Sequence, residues 1–99
     1  MAEQLPEVYC DLNAGYGPGY SLELRGSIDD LAKLGLTLES AVGRRFTFYM
    51  DDVDDDGTLN DIMFNGVVTN DPQYGYLAIK DGGDFYHRSD VSPDITPLP

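Results

Sequence analysis

Short runs in which apolar and polar residues alternate recur along this chain. Each run is closed by a glycine, proline or Asn/Asp cluster, and that rhythm confines the fold to short strands. In Glu7 to Leu12, Val8, Cys10 and Leu12 point one way and Tyr9 and Asp11 the other. Tyr20 to Arg25 sets Tyr20, Leu22 and Leu24 against Ser21, Glu23 and Arg25. From Arg44 the period returns, with Phe46, Phe48 and Met50 opposite Arg45, Thr47 and Tyr49. Asp61 to Thr69 carries Ile62, Phe64 and Val68 on one face and Met63 and Val67 on the other, which marks a central strand. Tyr74 to Lys80 sets Leu77 and Ile79 against Tyr76 and Ala78, and Phe85 to Arg88 makes a short last strand.

The breaks between runs predict the connections. Three glycines and a proline in Ala14 to Gly19 end any regular element, so the first two strands are expected to form a hairpin across it. Asn70-Asp71-Pro72-Gln73 reads as a turn, and Asp81-Gly82-Gly83-Asp84 as a tight hairpin. At Gly26-Ser27 the period changes: Ile28, Leu31 and Leu34 recur at helical spacing, Ser27 and Asp30 stand at capping-box separation, and Gly35 offers a stop. The expected fold is mainly β, a small single-domain barrel or sandwich with one short helix at Ile28–Leu34. An α+β domain is the alternative, with a second helix growing from Leu36–Val42, where Thr37 is placed to cap it. The block from Phe46 to Arg88, a meander of four strands, resembles an SH3-like barrel in strand count and spacing. The domain spans 1–99, with a core over 7–88 and a proline-bearing, loosely ordered tail over 89–99.

With 99 residues, the chain has material for one domain and one modest core. Eighteen Asp and Glu against six Lys and Arg give a net charge of −12. Binding of nucleic acid or anionic membrane by charge needs clustered Lys and Arg, so both are excluded as partners. A single cysteine, Cys10, cannot close an internal disulfide, which suits a reducing cytoplasm. The start, Met1 to Glu7, lacks the basic and apolar segments of a secretory signal, and no apolar run is long enough to span a bilayer, so the expected location is cytoplasmic.

The most specific motif is Asp51-Asp52-Val53-Asp54-Asp55-Asp56-Gly57-Thr58-Leu59-Asn60-Asp61. It resembles the first half of an EF-hand loop, with Asp52, Asp54 and Asp56 as alternating ligands, Gly57 at the sharp turn and Asn60 as a later ligand. Ca²⁺ requires about 6–8 converging oxygens, and alternate residues of a tight loop can supply them. Met63 stands where the bidentate carboxylate belongs, so Asp61 would have to help complete a weak site. The competing reading is a solvated acidic loop.

Other motifs carry less. Gly15 to Gly19 looks like a phosphate loop but precedes a strand, holds Pro18 and has no nearby cation, so it reads as a hairpin turn. His87 has Asp84, Asp90 and Ser89 beside it in sequence and reads as an edge-strand histidine rather than a catalytic one. Cys10 reads as buried packing. Seven tyrosines exceed what a small core needs, and Tyr9 and Tyr49 fall on the face opposite the aliphatic residues.

These features favour no enzymatic activity. The alternatives are a calcium-binding β domain and an enzyme working with carboxylates alone. The favoured function is an acidic interaction protein that binds a basic protein surface, of the inhibitor, immunity or phosphate-mimic type. Asp51, Asp52, Asp54, Asp55 and Asp56 would supply the charge, with Tyr49 and Tyr76 as aromatic anchors. A net charge of −12 exceeds the ~2–8 that solubility favours in a small domain, and such a field speeds association with a cationic partner.

Overall fold

In a computed structural model, residues 5–53 and 55–91 are described. The chain builds β1 (Glu7–Tyr9), β2 (Gly15–Tyr16), β3 (Gly19–Ser21), α1 (Arg25–Lys33), α2 (Leu38–Ala41), β4 (Arg45–Met50), β5 (Ile62–Asp71), β6 (Gly75–Lys80), β7 (Tyr86–His87) and α3 (Arg88–Val91). The fold is mainly β. Among the described residues, seven strands form one mixed sheet in the order β1-β4-β5-β6-β3-β2, with β7 alongside β5, and this sheet does not close on itself.

The apolar alternation places the core on one sheet face. Val8, Phe48 and Phe64 lie side by side across β1, β4 and β5, with the Phe48 and Phe64 rings stacked at 5.2 Å between centroids. Cys10, Phe46, Val68, Ala78 and Leu22 extend this layer, while Leu31 of α1 and Ala41 of α2 pack onto it. β5 is the central strand that its two apolar faces predict, paired with β4 along one edge and with β6 and β7 along the other. Gly66 permits that crowding, since a β-carbon there would collide with the Ile79 carbonyl oxygen of β6. On β6 the core side belongs to Ala78, whereas Leu77 is buried on the opposite face.

Three expectations need correction. The run beginning at Glu7 and the run beginning at Tyr20 do not pair: β1 lies parallel to β4 at one edge of the sheet, and β3 joins β6 near the other. The glycine-rich segment makes its own small hairpin, β2–β3, so it cannot link β1 to β3 as a simple turn. The Asp81–Asp84 segment does not close a β6–β7 hairpin either. β5 runs ten residues against six in β6, and β7 takes the stretch of β5 edge that β6 leaves open, at Ile62 and Met63.

Among the described residues there are three short helices rather than one. Thr37 caps α2 through a reciprocal hydrogen-bond pair with Ser40. α1 starts at Arg25, with Leu24 as its N-cap and no side-chain cap. Ser27 and Asp30 are therefore inside the helix, turned toward β1. Residues 88–91 are helical, and the remainder of the expected tail, 92–99, lies outside the described residues.

Candidate functional site: an acidic loop and a tyrosine cleft

The outer edge of β1 is closed by α1. The Tyr9 N–H donates to Asp30 Oδ2 at 3.0 Å, and Ser27 Oγ donates to the Tyr9 carbonyl at 2.6 Å. An unpaired edge is thereby satisfied without another strand. Asp30 Oδ2 also accepts from the Tyr49 hydroxyl at 2.7 Å, which anchors that ring. The Tyr9 and Tyr49 rings, neighbours on β1 and β4, meet edge to face at 5.9 Å and 78°. Gly26 lets the helix approach, because a β-carbon there would press on the Tyr9 ring at 2.9 Å.

Beside these rings lies a cleft of about 310 Å³ lined by Tyr9, Gly26, Asp29, Asp30, Lys33, Tyr49 and Asp51. Burial, the Asp30 hydrogen bond and the nearby charges of Asp30, Glu7 and Asp51 push the Tyr49 phenol well above its usual range. Burial followed by the fields of Asp11 and Asp51 raises Tyr9 in the same direction. Both rings are thus partly buried beside carboxylates.

The acidic loop starts where β4 ends and returns into β5. Val53 and Leu59 bridge its two arms, Asn60 N–H bonds the Asp52 carbonyl at 2.9 Å, and Gly57 turns the tip at φ +86°. Asp52 and Asp56 accept from the backbone N–H groups of Val53 and Thr58. The Thr58 hydrogen bonds hold the Asp56 carboxyl below its ordinary range. Val53 and Leu59 are 56% and 71% exposed, an apolar pair displayed among carboxylates.

A frame of charges fixes the base of this loop. Arg88 grips both Glu7 oxygens, at 3.0 and 2.9 Å, and reaches Asp61 Oδ2 with Nε at 3.0 Å. The Arg88 guanidinium also lies 6.0 Å from the centre of the Tyr49 ring. Asn60 and Ser89 exchange hydrogen bonds at 3.0 and 3.1 Å, and His87 Nε2 stands 3.4 Å from Asp52 Oδ2.

Of the residues singled out from sequence, the structure gathers Tyr49 and Asp51 at the cleft and Asp52, Asp55 and Asp56 around an open hollow in the loop. Asp54 lies outside the described residues. Tyr76 is elsewhere: it pairs with Asn70, eight residues along β5 from Ile62, or about 26 Å at strand rise. Among the suggested calcium ligands, Asp61 is committed to Arg88 and Asn60 to Ser89. Among the described residues no three His, Cys, Asp or Glu side chains are grouped to hold a metal ion. Cys10 is buried as expected, and burial pushes its thiol up to about 12, which makes it inert.

Sequence reading passed over Asp29 and Asp30 as site residues. The signal available was the shared phase of Tyr9 and Tyr49, which puts both rings on the face opposite the aliphatic residues; that they stand side by side follows only from the β1–β4 pairing. No helix in the described residues is long and apolar enough to cross a membrane. Comparison with family models, with characterised proteins and with solved structures yields no match to this chain.

Proposed function

We propose that this is a non-enzymatic acidic interaction protein, cytoplasmic, whose recognition end binds a basic surface on another protein. The observation that carries the reading is the loop at 51–61: an exposed Val53–Leu59 pair in a loop that also carries Asp51, Asp52, Asp55 and Asp56, on a base tied down by Arg88, Asn60 and Ser89. Apolar contact at the centre and charge at the rim are the usual anatomy of a protein interface. A pre-fixed loop also loses less conformational entropy on docking.

The expected curvature of the sheet, SH3-like over Phe46–Arg88 in a barrel or sandwich, belongs to the same reading. β4, β5 and β6 do run as consecutive antiparallel neighbours. An acid–base pair of the glycosidase kind needs one carboxyl desolvated enough to stay protonated. In the cleft Asp30 is held by two donors, and Asp29 and Asp51 are exposed, which favours binding over that chemistry. Calcium binding would require Asn60 and Asp61 to leave their partners. A melting temperature rising with the logarithm of Ca²⁺ concentration would establish it.

Affinity capture from native lysate at low and high salt tests the proposal. A basic protein retained at low salt, released by salt and lost when Asp52, Asp54, Asp55 and Asp56 are changed to Asn supports it. Capture unchanged by those substitutions, or no retained partner at low salt, refutes it.

A further inference from the structure

Two of the chain's six cationic side chains already turn toward the Tyr9–Tyr49 pair. Arg88 lies 6.0 Å from the Tyr49 ring centre. Lys33 lines the cleft itself, its ammonium 3.9 Å from Asp30 Oδ1, yet its side chain is 79% exposed and that contact is loose. We propose that the cleft seats the guanidinium of one arginine side chain presented by a basic partner protein. This rests on the acidic-surface reading above and names the anchor within it.

The walls fit that group in two ways. Tyr9 and Tyr49 both line the cleft, and a cation beside an aromatic face is stabilised by its quadrupole. Asp29 and Asp51 are exposed and, among the described residues, their side chains have no hydrogen-bond or ion-pair partner, so both are open to an incoming donor. Asp30 is occupied with the Tyr9 N–H and the Tyr49 hydroxyl, and so holds the ring wall rather than the ligand. Guanidinium suits this set better than ammonium. It is planar, weakly hydrated, stacks on rings and forks its donors toward carboxylates, whereas ammonium is a compact and strongly hydrated charge. Lys33 then acts as a resident competitor, near enough to shield the site and too loosely held to fill it.

The test is a titration of the isotope-labelled full chain with Nα-acetyl-arginine methylamide, followed by backbone amide shifts, with the lysine counterpart as a second arm. Saturable shifts are expected at Tyr9, Gly26, Asp30, Tyr49 and Asp51, with the lysine probe several-fold weaker. Asp29→Asn with Asp51→Asn, both surface changes, should abolish saturation while leaving the melting temperature in place. Tyr9→Leu should weaken binding roughly two- to fivefold, the worth of one exposed cation–π contact. Lys33→Gln should tighten it. Equal affinity for the lysine probe, shifts that persist in the double Asp variant, or weaker binding in Lys33→Gln would overturn the proposal. The Asp52/Asp54/Asp55/Asp56→Asn chain separates the two readings. Arginine binding retained there while partner capture is lost supports a distinct cleft. Partner capture retained in Asp29→Asn/Asp51→Asn overturns the cleft as anchor but leaves the acidic-loop reading standing.

Discussion

Asp30 and Asp56 are both carboxylates of a strongly acidic chain, and they do opposite jobs. Asp30 is partly buried between α1 and β1 and accepts two hydrogen bonds, from a strand-edge N–H and a phenol. Asp56 is exposed at a loop tip and, among the described residues, accepts only from its own turn. The net charge therefore sums two populations: carboxylates that close the fold, and carboxylates that load one end of it with field. Only the second kind is free to serve a partner. Substitution separates the two.

The largest effect is expected at Asp30. Asp30→Ala leaves the Tyr9 N–H and Tyr49 hydroxyl without their acceptor, and hydrogen bonds to a charged group are worth about 1.5–3 kcal/mol each before solvent substitutes for them. A loss of about 2–3 kcal/mol in urea unfolding is expected, with Asp30→Asn recovering part of it through its remaining amide oxygen. A loss under 0.5 kcal/mol, within the usual range for surface substitutions, would place Asp30 with the loop carboxylates.

Tyr49 gives the same contact a pH signature. Its phenol is raised above the unfolded value, so the stabilisation is complete below about pH 10 and drains away as pH climbs through the folded value. Wild-type stability should hold to about pH 10 and fall beyond it, whereas Tyr49→Phe should begin about 1 kcal/mol lower and fall less. Parallel alkaline limbs in the two proteins would show that another group governs the loss.

How much of this was readable beforehand follows from which contacts are local. Alternation is a local property, so β4, β5 and β6 and the centrality of β5 came through. The partner of β1 did not, because a parallel pairing with β4 is made across forty residues and leaves no mark in either strand. The helix was found from Ile28, Leu31 and Leu34, yet only Leu31 is buried; Ile28 and Leu34 are 44% and 43% exposed. Its true register is set by Ser27 and Asp30, whose polar side chains look like capping residues until β1 is placed beside them. The acidic loop was legible because its chemistry is contiguous. The cleft was not, since Asp29 and Asp30 of α1 meet Tyr9, Tyr49 and Asp51 only after folding.

Arg88 sits between the two populations. It joins Glu7, at the start of β1, to Asp61, the last loop residue, and its side chain is 41% exposed. Those hydrogen bonds, the Glu7 pair foremost, hold the guanidinium charged at any accessible pH. Because the group is more than a third exposed, Arg88→Met should cost only about 1 kcal/mol. The sharper readout is local: amide exchange should quicken across 58–61 and 88–90 while the β4–β5 core stays protected. Unchanged exchange there would mean the loop base is held by Asn60 and Ser89 alone.

The smallest effect on stability is expected in the loop itself. Changing Asp55 and Asp56 to Asn keeps the Asp56 oxygen that accepts from Thr58, so the turn survives. What disappears is like-charge repulsion, about 1 kcal/mol per pair at 4 Å in water and less once salt screens it over about 8 Å. Stability should stay within about 0.5 kcal/mol of wild type and drift upward rather than down, the reverse sign to Asp30→Ala. Association with a basic partner should behave differently, since steering depends on the summed field and not on any one bond. Stopped-flow mixing should show a slower on-rate and a shallower dependence on ionic strength, with dissociation little altered. If instead the loop variant unfolds more easily and binds at the same rate, the exposed carboxylates belong to the fold, and the division between Asp30 and Asp56 collapses.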